Sequence, residues 1–403
     1  MRARIGGGVP APEHPLATVR PGISRAIRAG VVRRRTVVWF ALLLAGVLPA
    51  VAGEPGAIAL EDVLAFDPTE AAAACGNVDY GSRPPSSPAP TVAPNPDGPT
   101  LLDMYLFVLA IDQVSTATNS FRFEGYGGLI WCDVREAFDP EAAGATFRGF
   151  PGDAAFQRLE RMWEPGVLIP TSLGPTDIGQ PELFIFHDGT VSLRLKFHRR
   201  LSAAYDFSRF PLDHQVLEIP IETSLYRSDQ VVIQEARGQV GLGRHVDIPE
   251  WRLEGYRVSI GKVGDFQRFL LEISIGREVG FYLWKILLPL FIISCVAWST
   301  FWLTRDALAQ RQRQSATAVL TVVAFQFIAS GDLPRVAYLT VMDGIILWTY
   351  LCTGGTLLTN VLAHRRFRRA EGAGLRADRL GRIAFPLVYL GGVLMILAIG
   401  YLA

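Results

Sequence analysis

GFYLWKILLPLFIISCVAWSTFWL, residues 280–303, decides the fold class: 24 residues with a single charge, Lys285. As a helix rising about 1.5 Å per residue, a run of this length crosses a bilayer core roughly 30 Å thick. Pro289 stands in its interior. A proline there would break a soluble helix, but neighbouring membrane helices tolerate the kink. The chain is therefore read as membrane-embedded from this point on.

Further apolar runs follow, so four spans are expected at about 280–303, 311–331, 336–362 and 384–403. The first connection carries Arg305, Arg311 and Arg313. The last, HRRFRRAEGAGLRADRLGR (364–382), sets seven arginines against Glu371 and Asp378. An excess of Arg in short loops marks the cytoplasmic side. Both ends of the four-span unit then lie outside.

Upstream of Arg277 the pattern changes to short alternating segments. In TVSLRLKF (190–197), Val191, Leu193, Leu195 and Phe197 share one face, while Thr190, Ser192, Arg194 and Lys196 share the other. That is the period of a half-buried strand. Asp188-Gly189, just before it, is a hairpin turn signal. LEIPIE (217–222) and FQRFLLEISI (266–275) alternate in the same way. Repeated short strands predict an antiparallel β-sandwich over 100–277, giving an α+β membrane protein with an extracellular sandwich followed by a four-helix transmembrane domain over 278–403.

The first 52 residues read as a leader. Arg33-Arg34-Arg35 precedes the apolar run 37–50, and Ala50-Val51-Ala52 offers a small-x-small cleavage site before Gly53. Together these are the parts of a secretory signal peptide, with an uncleaved anchor as the alternative. Residues 1–32 lie far upstream of the basic cluster, so translation could start later. Residues 53–99 are rich in Ala, then in Pro, Ser and Gly, and are expected to be an extension or tether without a core of its own. An exported chain could oxidise Cys75 and Cys132, whereas Cys295 and Cys352 fall in apolar runs and read as packing residues.

Charged residues make up 19% of the 403, the net charge is +1 and the mean hydropathy is +0.26. Near-neutrality gives no reason to expect a nucleic-acid partner. No metal-ligand spacing and no nucleophile–base pairing is visible, so neither a metal, nor a cofactor, nor an enzymatic activity is expected.

One loop stretch remains: DFSRFPLDHQ (206–215). A soluble loop tip gains nothing from exposed Phe and Leu, whereas a loop resting on a membrane-embedded neighbour does. With the sandwich, four spans and a basic last connection, the chain resembles the pentameric ligand-gated ion channels, the Cys-loop receptor superfamily. It looks most like the bacterial members, and among them the amine-gated bacterial channel. The resemblance covers roughly residues 100–403 and is strongest in YLWKILLPL, LTVVAFQF and DLPRVAYLTVMDG. Ala203 and Leu217 stand where the family's loop cysteines would be, so that disulfide is absent.

The resemblance implies that this loop hangs from the base of the sandwich onto the spans. Phe210 and Leu212 would bury there, and Pro211 would fix the bend, a cis bond being one way to do so. Asp213 would pair with Arg277, and Pro334 would belong to the same coupling region. It also implies that the second span lines the pore. Arg313, Thr317, Leu320, Ala324, Phe327 and Gly331 alternate spacings of four and three, which places them on one helix face. Rings of Leu320 and Phe327 would close the pore by dewetting. At the inner mouth Gln310 replaces the glutamate of cation-conducting relatives, and Arg311 and Arg313 follow. An arginine ring favours anions. The alternative is that both arginines turn to cytoplasmic water, leaving selectivity weak.

For the ligand site the resemblance implies Phe107 and Tyr126 on the complementary face, and Glu222 and Phe266 on the principal face, around a cation. The match is incomplete. Ser224 replaces an aromatic, with Tyr226 near it; Leu173 stands where the amine-gated relative has a second acid; and the capping loop between Trp251 and Phe266 is about a dozen residues shorter. The expectation is a homopentameric, agonist-gated channel of the bacterial inner membrane. Its partners would be a small molecule such as an amine, permeant inorganic ions and lipid. The alternatives are a cation or weakly selective channel gated by amines or protons, and a non-conducting membrane sensor.

Overall fold

The computed structural model describes Cys75 and residues 91–95, 98–174, 179–243, 246, 248–304, 308–331, 336–369 and 371–402. The expected leader, most of the tether, Arg305 and Pro334 lie outside the described residues.

Among the described residues, eleven strands build the sandwich: β1 (Thr100–Ser115), β2 (Ser120–Cys132), β3 (Phe147–Pro151), β4 (Val167–Leu168), β5 (Ser172–Leu173), β6 (Glu182–Phe186), β7 (Thr190–Ser202), β8 (His214–Thr223), β9 (Val231–Leu242), β10 (Trp251–Val263) and β11 (Phe266–Arg277). Two short helices, α1 (Pro140–Ala143) and α2 (Asp153–Leu159), interrupt them. One sheet runs β3-β6-β7-β2-β1-β9, with β5 on β7; the other runs β10-β11-β8-β4. The alternation read from sequence is realised. Leu102, Met104, Leu106 and Val108 of β1 face Leu217, Ile219 and Ile221 of β8 and Phe269, Leu271, Ile273 and Ile275 of β11 in one core. Each such fully buried side chain contributes about 1.5–3 kcal/mol. At the Asp188-Gly189 turn, Asp188 caps Thr190 through both its N–H and its hydroxyl, and Gly189 takes φ +93°, a value glycine adopts without strain.

One expectation needs correcting. The sandwich is not wholly antiparallel, because β1 and β9 pair in parallel from Thr100↔Val231 to Val108↔Leu242. The chain crosses from one sheet to the other before β9, so β9 arrives alongside β1 in the same direction.

Cys75 and Cys132 form a disulfide. Nearby, Val92 carbonyl accepts from Arg135 Nη1 at 2.9 Å and Thr91 carbonyl accepts from Tyr226 Oη at 3.3 Å. The stretch before β1 is thus fastened to the sandwich.

Among the described residues, the helices that follow are α3 (Gly280–Trp302), α4 (Leu308–Ala329), α5 (Val341–Arg369) and α6 (Glu371–Leu402). In α3 a widened π turn over Leu283–Leu287 precedes Pro289, which has no N–H to give. By length and composition, Gly280–Trp302, Val341–Arg365 and Asp378–Leu402 are apolar enough to cross a membrane. α4 has 22 residues, about 33 Å of helix, but it carries Arg311, Arg313 and several glutamines and is less apolar. The arginine-rich stretch 364–382 departs from its reading as a linker: it is the end of α5 and the start of α6.

Candidate functional site

Between β7 and β8 the chain makes a tight loop whose two phenylalanines face the helices, whereas Leu212, expected to bury there too, is only half-buried and lies outside their cluster. Phe207 and Phe210 are buried in a cluster with Tyr282, Ile286 and Leu290 of α3, Val322 and Ala329 of α4, and Met342 and Ile346 of α5. The loop holds its shape through Phe210 N–H to Phe207 carbonyl (3.0 Å) and Leu212 N–H to Arg209 carbonyl (2.7 Å). The Phe210–Pro211 bond is cis. Two backbone groups of the loop reach the helical part. Phe207 N–H donates to Tyr338 Oη at 2.9 Å, and Phe210 carbonyl accepts from Met342 N–H at 3.1 Å. Met342 lies in the first turn of α5, where N–H groups have no partner within the helix. Thr340 and Asp343 cap the same end reciprocally, Thr340 Oγ1 donating to Asp343 Oδ2 at 2.8 Å and accepting from Asp343 N–H at 3.2 Å.

Asp213 and Arg277 meet as the sequence predicts. Arg277 Nε donates to Asp213 Oδ1 at 2.7 Å and Nη2 to Oδ2 at 3.0 Å. This is the bidentate geometry that makes arginine–carboxylate pairs strong. The pair continues a ladder: Gly276 pairs with His214 in β11–β8, and Trp251 pairs with Arg277 in β10–β11. Sequence reasoning missed the surrounding shell. Gln215 Nε2 donates to Asp213 Oδ2 at 2.8 Å, and Arg277 Nη1 to Tyr282 Oη at 3.3 Å. The guanidinium lies 4.0 Å from the Trp251 ring centroid and 4.9 Å from that of Phe210. Both charges are nearly inaccessible, Asp213 at 2% exposed. Burial works to lower the Arg277 pKa, but hydrogen bonding and charge from Asp213 outweigh it and hold the guanidinium above its ordinary value. An arginine one residue pair away from an apolar helix, together with the FPLD run, was the legible signal.

α4 has two distinct faces. Arg311, Ser315, Ala318, Val322 and Ala329 are buried against the other helices. Ser315 Oγ accepts from Thr356 Oγ1 at 2.9 Å and from Asn360 Nδ2 at 3.1 Å, which explains a buried hydroxyl there. The opposite face carries Arg313, Thr317, Leu320, Ala324, Phe327 and Gly331, all exposed in the single chain. Leu320 is 68% and Phe327 77% exposed. Gln310 is exposed as well. Arg311 departs from its expected place beside Arg313. It is 3% exposed and donates to Asp378 of α6 from Nη1 at 2.9 Å and Nη2 at 3.2 Å, with Nη2 also on Leu303 carbonyl. Two residues along a helix is a rotation of roughly 200°, so Arg311 and Arg313 cannot share a face.

The expected ligand residues are divided between the two sheets. Phe107 and Tyr126 are cross-strand partners on the outer face of the first sheet. Phe107 is only 6% exposed, sealed with Tyr105 and Ile130 under Ala236. Tyr126 is half-buried, with Lys196 Nζ 5.7 Å from its ring centroid and bonded to Glu124 at 2.8 Å. Glu222 and Phe266 lie on the second sheet. Glu222 is taken: its cross-strand partner Arg268 donates from Nε at 2.5 Å. Tyr226 sets its ring 5.2 Å from that of Trp163, tilted by 45°, and lines a cavity of about 440 Å³ with Leu225 and Thr91. Burial raises the Tyr226 phenol pKa. The capping loop is reduced to the two-residue turn Gly264-Asp265, since Val263 pairs with Phe266. The Gly-Asp dipeptide between alternating runs was the signal for it. Asp265 is fastened in turn, by Arg227 at 3.0 Å and by Ser228 N–H on its carbonyl at 2.8 Å. No group of three or more His, Cys, Asp or Glu suited to a metal occurs among the described residues.

Comparison with known proteins matches this geometry. Residues 89–269 match the model of the neurotransmitter-gated ion-channel ligand binding domain, and residues 286–373 that of the neurotransmitter-gated ion-channel transmembrane region. Together they cover more than half of the chain. A proton-gated ion channel of Gloeobacter violaceus is 24% identical over 314 residues, 75% of this chain and 83% of that protein. The human gamma-aminobutyric acid receptor subunit rho-3 is 26% identical over 283 residues, 67% of this chain and 57% of that protein. A gamma-aminobutyric acid receptor subunit beta of Lymnaea stagnalis is 24% identical over 278 residues, covering 64% of this chain and 55% of that protein. The chain thus spans little more than half the length of these two receptor subunits. Proteins of this kind are ion channels rather than enzymes. The chain belongs to the neurotransmitter-gated ion-channel family, the Cys-loop receptor superfamily.

Proposed function

We propose that five copies of this chain surround a water-filled path lined by α4, and that a small molecule bound between neighbouring sandwiches opens it. The observation that carries this reading is the exposed stripe from Arg313 to Gly331. It is continuous over the length of α4, and it lies opposite the face that packs on α3, α5 and α6. A lipid-facing stripe has no use for an arginine and a threonine in line with Leu320 and Phe327, because a charge at membrane depth is costly unless it meets water or a partner. In a pentamer Leu320 and Phe327 become apolar constrictions, able to shut the path by excluding water.

The orientation follows from the charge bias. The sandwich and the C-terminal end of α6 lie outside, in the periplasm of a bacterial inner membrane, and the arginine-bearing ends of α4 and α6 lie inside. Arg313 is the exposed cation at the inner end of the stripe. Five such side chains favour anions over cations, so chloride is the ion this mouth suits. Arg311 adds nothing to that ring, being neutralised by Asp378.

For the agonist, the position of Phe107 and Tyr126 on one sheet and Glu222 and Phe266 on the other means that they converge only across two subunits. An amine would find Glu222 already compensated by Arg268 and Phe107 covered. The buried aromatics and the paired acid therefore favour a ligand that does not depend on a free carboxylate. Protons, as in the relative named for them, are the second reading.

Current recording tests the proposal. Leu320→Ala should conduct at lower stimulus than the parent channel, under either an amine panel or pH steps. A membrane-inserted protein that carries no current in either form, under any of these stimuli, would leave only the sensor reading.

A further inference from the structure

We infer that Asp378, on the last helix, is a positioning residue for the inner mouth of the pore: by clamping Arg311 it sets the rotation of α4 at which Arg313 faces the central path. The inference rests on the reading of Arg313 as a pore residue and adds what holds it there.

Three features carry it. First, the clamp fixes rotation as well as proximity. Both terminal nitrogens of Arg311 bond Asp378, at 2.9 and 3.2 Å, and one also bonds the carbonyl of Leu303, just past the end of α3. A planar guanidinium held at three acceptors from two elements cannot swing without losing them. Because Arg313 is two residues further on, its direction is set by the same clamp.

Second, Asp378 is itself on a fixed base. One turn along, Arg382 Nε donates to Phe301 carbonyl at 3.1 Å, Trp298 Nε1 donates to Arg382 carbonyl at 3.1 Å, and the Arg382 guanidinium lies 5.2 Å from the Trp302 ring centroid. Gly381 lies against the Phe301 ring, where a Cβ would come within 2.7 Å. α6 therefore meets α3 at a seam that admits no larger residue, and the carboxylate is presented from it.

Third, the electrostatics give the clamp a direction of failure. Without the carboxylate, a guanidinium 3% exposed has no counter-charge among the described residues, and stranding one is far costlier than solvating it. On the proposed reading, water fills the path that the other face of α4 lines. Relief comes from turning the inner end of α4, which draws Arg311 toward that water and moves Arg313 off its station. A staple that merely holds the fold would change how much channel is made. A positioning residue changes which ions the assembled channel passes.

The experiment is reversal potential and single-channel conductance in a sodium chloride gradient, on full-length channels. Arg313→Gln serves as the control for the pore reading. If Asp378 positions the mouth, Asp378→Asn lowers the chloride-to-sodium permeability ratio by about twofold or more, and Arg311→Gln/Asp378→Asn, which strands no charge, returns toward the parent value. A shift with Arg313→Gln and none with Asp378→Asn overturns the inference while leaving the pore reading intact. No shift with Arg313→Gln overturns both. Should Asp378→Asn fail to assemble, Asp378→Glu takes its place: it keeps the charge but moves it by one methylene, and an unchanged ratio and conductance there also overturns the inference.

Discussion

Two buried arginine–carboxylate pairs bracket α3, and they are built differently. At its start, Arg277 closes β11 and Asp213 stands just before the neighbouring β8, with Gln215, Tyr282 and the Trp251 ring completing the shell. Just past its end, Arg311 and Asp378 join two helices, Arg311 donates as well to the Leu303 carbonyl, and Arg311 Nε, though buried, has no hydrogen-bond partner among the described residues. The outer pair is close to fully satisfied and sits where sandwich meets helices. The inner pair is less complete and lies wholly among helices. We propose a division of labour: the outer pair couples the sandwich to the helices, and the inner pair holds a helix still.

The largest effect should come from breaking the outer pair. Asp213→Asn leaves Arg277 without its counter-charge, a loss of about 3–5 kcal/mol in buried pairs, and should shift activation by roughly two to three powers of ten while protein still reaches the surface. A normal dose–response in that variant would end the comparison. Leu320→Ala touches neither pair and should move activation the other way, by about tenfold, sharpening the contrast between gate and coupling. Arg313→Gln should leave activation near the parent value and lower the chloride-to-sodium ratio a few-fold, read as a reversal-potential shift. Within the outer pair's shell the smaller effect belongs to Gln215→Ala, which removes one neutral donor from Asp213; about 1 kcal/mol, or roughly a fivefold shift in half-activation, is expected. An effect as large as that of Asp213→Asn would mean that the shell, not the charge pair, carries the signal.

The same two pairs show what was legible in the sequence. The outer one could be read because FPLD is contiguous and Arg277 stands just before an apolar run, so each partner announces itself locally. The pore stripe was readable for a similar reason, since spacings of four and three name a helix face without any tertiary knowledge. The inner pair could not be read. Its partners lie 67 residues apart, and Asp378 is one of nine charges in a stretch that looks evenly solvated. Sequence does not say which of them folds inward. The partner of Glu222 was hidden on the same ground, Arg268 being a cross-strand neighbour 46 residues on. Phe107 looked available because its cover, Ala236, comes from β9, whose parallel pairing no alternation pattern reveals.

The contact between Phe210 and Met342 has a consequence for how this junction can be studied. It is made by the peptide chain on both sides, carbonyl to amide, at 3.1 Å. It is indifferent to the side chain at either position, so an alanine scan passes over it, and relatives could differ at both places and keep it. Met342→Pro, or an ester in place of the amide there, removes the donor and exposes what the link is worth.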